Sequence, residues 1–345
     1  MTRRILWLGL ALGPLVIALD AASAASKTFL FVLAAISLVP LAWLIGEATE
    51  HVAKHTGAGI GGFLNATFGN APELIIALFA VSNGLSGVVR GSLTGSIVGN
   101  LLLVLGAALV FGKGGRIDRV SSFTWLALVG LSVLLFSVPA ALGWAGHSSR
   151  QVTALSSVPV AIALLACYLV VTWRTLRRHH LLHVSDLPRD IEAWSLPLSL
   201  ATLAAATVVT AFVAETVVGT IDTFARHAHL SEFFVAAVIV AIAGNAAEHG
   251  GAIVVASRGH TKLASEIALS SAAQVAVFVL PAVALVSWSM KPLTLAFRPV
   301  EVVAVALSTA LVGLLLARGR TNRLRGWALL AAYVALATAF FLAGR

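Results

Sequence analysis

Long apolar stretches separated by short polar breaks follow one another along nearly the whole chain. Most are long enough to cross the roughly 30 Å hydrocarbon layer of a membrane as a helix, and they are continuous, unlike the alternating strands of a membrane β-barrel. We therefore predict an all-α polytopic membrane protein with about eleven transmembrane helices. The predicted spans are 5–22, 28–48, 58–82, 93–111, 120–142, 154–175, 194–222, 231–257, 263–288, 297–317 and 325–343.

The composition supports this prediction. Of the 345 residues, 59% are hydrophobic and only 11% are charged, and a soluble protein of this length could not bury so much apolar surface. A net charge of +9 in a soluble protein would suggest a nucleic-acid partner. Here the charges lie in short loops between spans, where they orient a membrane protein, so we expect the lipid bilayer as partner and no nucleic acid.

The positive charges also predict an orientation. If the N-terminus is cytoplasmic, sixteen of the 23 Lys and Arg residues fall in cytoplasmic segments, as the positive-inside rule requires. We expect an integral protein of a bacterial inner membrane. Residues 1–24 form either a retained extra transmembrane helix, which we favour, or a cleaved signal peptide, because their apolar core is short and small residues follow it.

A weak internal repeat divides the remaining chain. GNAPE at 69–73 recurs as GNAAE at 244–248, and a second polar pair follows each motif, with Ser96 and Asn100 in one half and Ser271 and Gln274 in the other. The predicted halves are 25–175 and 194–345, joined by a cytoplasmic linker at 176–193. Because each half has five spans, the two halves enter the membrane in opposite directions, an architecture of secondary transporters.

The repeated motifs place two carboxylates, Glu73 and Glu248, near the middle of their spans. An ionised carboxylate at that depth costs roughly 2.5–3.5 kcal/mol on insertion scales. No Lys or Arg lies in the middle of a predicted span to neutralise it. Two protonated carboxyl groups would be a structural alternative, but the pattern favours a functional site.

The residues around these carboxylates predict an oxygen-rich cavity. Gly69, Pro72 and Gly244 interrupt the helices, because proline lacks a backbone N–H and glycine allows close approach. Freed carbonyls and amide oxygens then join the carboxylates, a ligand set that suits Ca2+. The candidate ion- and proton-binding residues are Glu73, Glu248, Asn70, Asn245, Ser96, Asn100, Ser271 and Gln274. The hydroxyl and amide groups of the second polar pairs have an alternative role in interhelical hydrogen bonding.

Two buried carboxylates also suggest how the site couples two ions. Either one Ca2+ or two protons brings the site to neutrality, and only a neutral site crosses easily between inward-open and outward-open states. We therefore expect an antiporter of Ca2+ and H+ that uses no cofactor and catalyses no chemical reaction.

Three further titratable residues are candidates for supporting roles. His249 follows Glu248 directly and is either a proton relay or a packed neutral side chain. Glu50 and Glu215 lie near span ends, where each either collects cations at an entrance or is a surface charge at the headgroup level.

At these motifs the sequence resembles the cation/proton exchangers of the Ca2+/cation antiporter superfamily. GNAPELIIALFAV resembles the first family signature and GNAAEHGGAIVVA the second, and asparagine in both resembles the Ca2+/H+ branch. The resemblance implies ten core helices in inverted repeats, with Glu73 and Glu248 binding Ca2+ or protons in turn. Ser270 stands where the second repeat usually has glycine, and the central loop lacks the acidic helix of some relatives.

Other functions are compatible with parts of the pattern. A monovalent-cation/H+ antiporter on the same scaffold is the nearest alternative, because fold alone does not fix the ion. An intramembrane serine protease is more remote: GLSG at 84–87 mimics a nucleophile turn, with Ser86 and His249 as its pair. The sequence leaves open whether the protein forms a homo-oligomer.

Overall fold

A computed structural model describes residues 2–112, 114–145, 150–181 and 194–344. Within these ranges, nine helices are long and apolar enough to cross a membrane, and one bent pair raises the number to ten. The predicted polytopic helical fold is thereby confirmed.

The described part of the chain before residue 182 contains eight α-helices and one π-helical segment, and its first two helices are short. In order, the elements are α1 (Thr2–Gly9), α2 (Leu12–Ala21), α3 (Lys27–Phe68), α4 (Ala71–Ser82), α5 (Ser86–Val98), the π-helical segment π1 (Gly99–Val104), α6 (Leu105–Phe111), α7 (Arg119–Trp144) and α8 (Arg150–Leu181). A two-residue strand, β1 (Gly115–Arg116), precedes α7.

The second half follows after residue 194. It contains α9 (Leu196–His227), α10 (Glu232–Phe234), π2 (Val235–Val240), α11 (Ala241–Gly244), α12 (Ala246–Ser257), α13 (Thr261–Gln274), π3 (Val275–Val279), α14 (Leu280–Val286), a 3-10 turn (Ser287–Ser289), α15 (Pro299–Leu316), β2 (Arg320–Thr321) and α16 (Arg323–Ala343). The α5–π1–α6 unit therefore corresponds to α13–π3–α14.

Most predicted spans coincide with a helix. The break predicted between the spans 28–48 and 58–82 is absent, since α3 continues as one helix from Lys27 to Phe68. The helix that contains the span predicted at 93–111 begins earlier, at Ser86. The predicted span excluded Arg90 because it is charged, whereas Arg90 lies within the helix in the structure. The span predicted at 58–82 is divided between the end of α3 and the 12-residue α4. α8 continues to Leu181, so it includes the first residues of the predicted linker, and residues 182–193 lie outside the described part of the chain.

The two halves run in opposite directions, as α3 and α9 show most clearly. Phe31, near the start of α3, stacks on Phe224 near the end of α9, with ring centroids 4.3 Å apart. Farther along α3, His51 stacks on Trp194, which precedes α9, at 4.4 Å. These equivalent helices are therefore antiparallel, which is the relation that an inverted repeat predicts.

The extra N-terminal helices pack on the outside of this pair. Trp7 of α1 makes an edge-to-face contact with Trp43 of α3, at 5.3 Å between centroids. Asp20 of α2 accepts a 2.7 Å hydrogen bond from Thr216 of α9. The helices α1 and α2 thus lie at the periphery of α3 and α9.

One side of the bundle, which we call the connector side, includes the loops before α7 and α16 and the start of α9. There β1 pairs antiparallel with β2, a ladder that the apolar pattern did not predict. Asp118 accepts a hydrogen bond from Ser121 N–H at the start of α7 and pairs with Lys262 of α13 at 3.1 Å. The Ser121 N–H, followed by the Lys262 ammonium, lowers the pKa of Asp118.

The opposite side is covered by an extended segment between the 3-10 turn and α15. Leu293, Leu295 and Phe297 are buried in alternation with more exposed neighbours. The Trp144 indole donates to Phe297 O at 2.8 Å, and Leu295 N–H donates to Ser157 Oγ at 2.9 Å. This segment therefore links the C-terminal end of α7 and the N-terminal part of α8 to the start of α15.

Close helix crossings at glycine tighten the bundle. A methyl group added to Gly326 of α16 would lie 2.7 Å from the carbonyl oxygen of Gly106 and 2.8 Å from Val110 N in α6. Small residues at such crossings let helix backbones approach, which is the main way that membrane helices gain packing energy.

We expect Gly326→Ala to lower the apparent melting temperature of the detergent-solubilised protein by several degrees. Overpacking costs about 1–3 kcal/mol, and here the neighbouring atoms are backbone atoms that cannot rotate away. The matched control is Gly130→Ala in α7, where an added methyl group meets nothing within 4 Å. It should be neutral or slightly stabilising, and an equal loss of stability in both variants would contradict the role of the Gly106–Gly326 crossing.

Candidate functional site

The two repeated motifs fold into matching helix breaks. α3 ends at Phe68 and α4 begins at Ala71, while α11 and α12 meet at Asn245 with a bend of 58°. Asn70 and Asn245 share one backbone conformation, with φ −100° and ψ 14° in the first and φ −90° and ψ 6° in the second. This bridge region is sparsely populated in proteins and frequent at functional sites.

Each break begins a helix whose first turn carries a carboxylate. Glu73 lies in the first turn of α4 and Glu248 in the first turn of α12. Pro72 is in the first turn of α4, where its missing N–H leaves no helical hydrogen bond unmade. The N-terminus of a helix carries a partial positive charge that favours a nearby carboxylate, so each break partly offsets the burial of its glutamate.

Glu73 reaches from the first half to the break in the second half. Glu73 Oε1 lies 3.4 Å from the position that a methyl group on Gly244 would occupy, which is van der Waals distance. Glu73 is only 6% exposed, and its Oε2 has no hydrogen-bond partner among the described residues. The carboxylate therefore keeps an unused acceptor inside the bundle.

Glu248 is less buried and has a protein partner. Its Oε2 accepts a hydrogen bond from Ser271 Oγ in α13. The equivalent serine of the first half, Ser96, instead accepts a 2.8 Å hydrogen bond from Asn245 Nδ2. The two glutamates are thus equivalent in sequence and different in their contacts.

Amide side chains connect the halves across the centre of the bundle. Asn70 Nδ2 donates to Gln274 Oε1 at 2.9 Å. In the equivalent pair, Asn100 Nδ2 lies 3.3 Å from Asn245 Oδ1 and also donates to Ser271 Oγ at 2.9 Å. Asn100 Oδ1 has no hydrogen-bond partner within the described ranges. All eight predicted ion-binding residues therefore lie around the two helix breaks.

Two of these amides are associated with π-helical turns. Asn100 lies within π1, and Gln274 immediately precedes π3. Short π segments inside α-helices are rare and occur often at functional sites. The amino-acid pattern did not predict them, because a π turn has no distinct hydrophobic period.

A cavity of about 640 Å³ leads from the connector side to Glu248. Its lining includes Trp43, Glu47 and Glu50 from α3, Glu248 from α12, and Ser271 and Gln274 from α13. Gly69 lies on the same wall, beside Asn70. The cavity thus connects the predicted entrance residue Glu50 with one of the two carboxylates.

The other candidates are placed differently. Glu215 is exposed on α9 and is absent from the lining of this cavity. His249 is buried in α12, and its Nε2 has no partner in the described part of the chain. Ser86 lines a small pocket with Lys291 on the opposite side, and no described contact joins it to His249, so the geometry gives no support to a protease pair.

Two acidic residues outside the predicted site, Glu47 and Glu301, have positions that the sequence analysis did not predict. Glu47 lines the cavity and lies 3.8 Å from His51 Nε2. Because Glu47 and Glu50 are three residues apart, a helix places them on the same face, so the sequence could have indicated that both line one cavity. Glu301 of α15 is fully buried and pairs with Arg90 of α5. A charge near the end of a predicted span is expected to lie at the membrane interface, so the burial of Glu301 differs from that expectation.

The arrangement offers two carboxylates with amide and hydroxyl oxygens. Groups of three or more His, Cys, Asp or Glu side chains that could hold a metal ion do not occur in the described ranges. A cation between Glu73 and Glu248 would therefore depend on neutral oxygens for its remaining ligands. Ca2+ accepts such mixed oxygen sets in irregular geometry.

Comparison with known proteins identifies similar chains over nearly the full length. The sequence profile described as "Sodium/calcium exchanger protein" matches residues 26–177 and 198–342. The Ca(2+)/H(+) antiporter of Synechocystis is 34% identical over 339 residues, covering 91% of each chain. The Ca(2+)/H(+) antiporter ChaA of Bacillus subtilis is 36% identical over 327 residues, covering 91% of this chain and 92% of that protein.

A solved structure agrees with the fold. The structure of native YfkE superimposes with a TM-score of 0.84 at 32% identity, covering 98% of this chain and 99% of that one. The broken helices and the inverted order of elements thus belong to a known architecture.

We expect Ser271→Ala to weaken the binding of Ca2+, the ion that the oxygen chemistry predicts, by about tenfold or more. A hydrogen bond to a charged group contributes about 1.5–3 kcal/mol, and Ser271 is the described donor that holds Glu248. The measurement is the Ca2+-dependent rise in melting temperature of the purified protein. Ser270→Ala is the control, because among the described residues Ser270 Oγ donates to Ile267 O of its own helix. Unchanged Ca2+ affinity in Ser271→Ala would contradict this role.

Proposed function

This chain belongs to the sodium/calcium exchanger family, and we propose that it exchanges Ca2+ for H+ across the membrane by alternating access. The relatives named as Ca2+/H+ antiporters match 91% of its length at about one-third identity. The observation that carries the proposal is the approach of Glu73, from the first half, to the helix break of the second half that precedes Glu248.

The charge of the site gives the exchange rule. Glu73 and Glu248 both lie among buried or half-buried neighbours, where two bare negative charges are costly. One Ca2+ or two protons neutralise them equally. If the site changes between the inward-open and outward-open states only when it is neutral, it carries Ca2+ in one direction and protons in the other. This is the behaviour of an antiporter.

The neutral groups position the carboxylates and complete the ligand set. Ser271 orients Glu248, and the Asn70–Gln274 and Asn100–Asn245 pairs each join one break to a helix of the other half. Glu73 Oε2 has no hydrogen-bond partner among the described residues. We assign this oxygen as the atom of Glu73 that contacts the ion directly. His249 is not required by this mechanism.

Access in this conformation is from the connector side. The cavity of about 640 Å³ runs from Glu50 to Glu248, whereas Glu73 lies deeper. The positive-inside bias makes the connector side cytoplasmic, so we assign the structure to an inward-open state in a bacterial inner membrane with a cytoplasmic N-terminus.

We expect Glu73→Gln and Glu248→Gln each to abolish Ca2+-driven proton movement in proteoliposomes, because a single carboxylate can be neutralised by one proton but not by one Ca2+. The assay follows internal pH after Ca2+ addition, with Na+ and K+ in parallel. Asp222→Asn, which removes an exposed carboxylate paired with Arg226, should retain exchange. Activity in either glutamine variant, or an equal response to Na+ or K+, would refute the proposal or its ion assignment.

We expect Glu50→Gln to raise the KM for Ca2+ by up to about fivefold and to leave kcat unchanged. Glu50 is largely exposed and pairs with Lys54 at 3.6 Å, so it attracts cations without holding them, and a charge in water contributes about 1 kcal/mol at most at 4 Å. Initial rates at low and high salt provide the measurement. The effect should shrink at high salt because exposed charges are screened, and a loss in kcat instead would show that Glu50 acts within the transport cycle.

A further inference from the structure

A buried ion pair joins the two halves on the side opposite the cavity. Arg90 of α5 and Glu301 of α15 lie 3.5 Å apart between Nε and Oε1, and their side chains are 15% and 0% exposed. The contact lacks hydrogen-bond geometry, since neither of these two atoms has a hydrogen-bond partner among the described residues. Glu301 Oε2 accepts instead from the backbone N–H of Arg298.

This ion pair lies between two cavities. The outer one, of about 280 Å³, is lined by Arg90, Phe297 and Thr294. The inner one, of about 20 Å³, is lined by Thr94, Phe297 and Glu301. Phe297 lines both cavities and packs on Phe136 with centroids 5.2 Å apart. Phe297 and the ion pair therefore form part of the wall between the outer pocket and the inner cavity.

The inner cavity borders the helix that carries part of the ion site. Thr94 and Ile97 of α5 line it, and Ser96, which accepts from Asn245, lies between them in sequence. Thr94 Oγ1 is buried and has no partner among the described residues. Water that passed the wall would find a polar group there, within one helical turn of Ser96.

We propose that Arg90, Glu301 and Phe297 form the gate that closes the opposite side and parts when the ion site opens to that side. This gate rests on the alternating-access cycle proposed above. Its charged members come from different inverted halves, so relative movement of the halves changes their separation directly.

The chemistry of the pair suits a gate with two discrete states. Buried opposite charges attract strongly at short range but are costly to leave unpaired, so intermediate separations are disfavoured. Once water enters from the outer pocket, both groups can be solvated. The closed state is held by the pair and by Phe297, and the open state is held by water.

Thiol accessibility tests the gate without reference to the transported ion. In a Cys167→Ala background, Thr94→Cys reports on the inner cavity and Thr294→Cys on the outer pocket. Protein in sealed vesicles is treated with a membrane-impermeant methanethiosulfonate reagent. The reagent is added on the side of the membrane opposite the connector side. In the otherwise unchanged protein, we expect the cysteine at position 294 to react rapidly and the one at position 94 to be protected.

Breaking the pair should expose the inner cavity. With Glu301→Gln, we expect the reaction rate at position 94 to rise roughly 5- to 150-fold, the usual range of conformational coupling. Lys291→Gln, which removes a charge from the same extended segment, should leave it unchanged. The charge exchange Arg90→Glu with Glu301→Arg should restore protection. If Glu301→Gln does not fold, Arg90→Lys, which keeps the charge but shortens its reach, should give an intermediate rate.

Two results would overturn the gate. One is equal reactivity at positions 94 and 294 without any gate substitution, and the other is protection at position 94 that persists when the pair is broken. Ca2+-driven proton movement in the same vesicles separates this proposal from the exchange mechanism. Intact exchange with persistent protection removes the gate alone, whereas the expected labelling pattern without Ca2+ exchange supports the gate and removes the ion assignment.

Discussion

Two carboxylates inside an apolar bundle impose the main constraint on this molecule. Glu73 and Glu248 can be held there only if backbone, amide or hydroxyl groups surround them and a cation or proton balances them. The helix breaks supply helix N-termini, and Ser271 supplies a hydrogen-bond donor. Much of the polar structure at the centre of the bundle follows from this requirement.

The sequence predicted the features that depend on local pattern. Apolar runs of membrane length gave the helices, and the repeated GNAPE and GNAAE motifs gave the breaks, the inversion and the residues that gather around them. Glu50 could be placed near a span end because its helix was evident, and the structure adds that it lines the cavity.

The sequence did not predict the features that depend on how the helices pack against one another. Arg90 and Glu301 lie near the ends of their spans, and hydropathy treats a charge at that position as interfacial whether or not another helix covers it. The partner of Ser96 is Asn245 rather than its own half's glutamate, a choice made by the relative position of the halves. The β1–β2 ladder and the π turns likewise arise from tertiary packing and have no period of their own.

The unequal contacts of Ser96 and Ser271 carry a thermodynamic consequence. The two serines hold equivalent positions in a duplicated sequence, yet one binds an amide and the other a carboxylate. If the halves exchanged conformations, the same set of bonds would reappear with the serines in each other's roles. The two end states would then have nearly degenerate energies, and a carrier with a small energy gap between its end states can be driven in either direction by modest gradients.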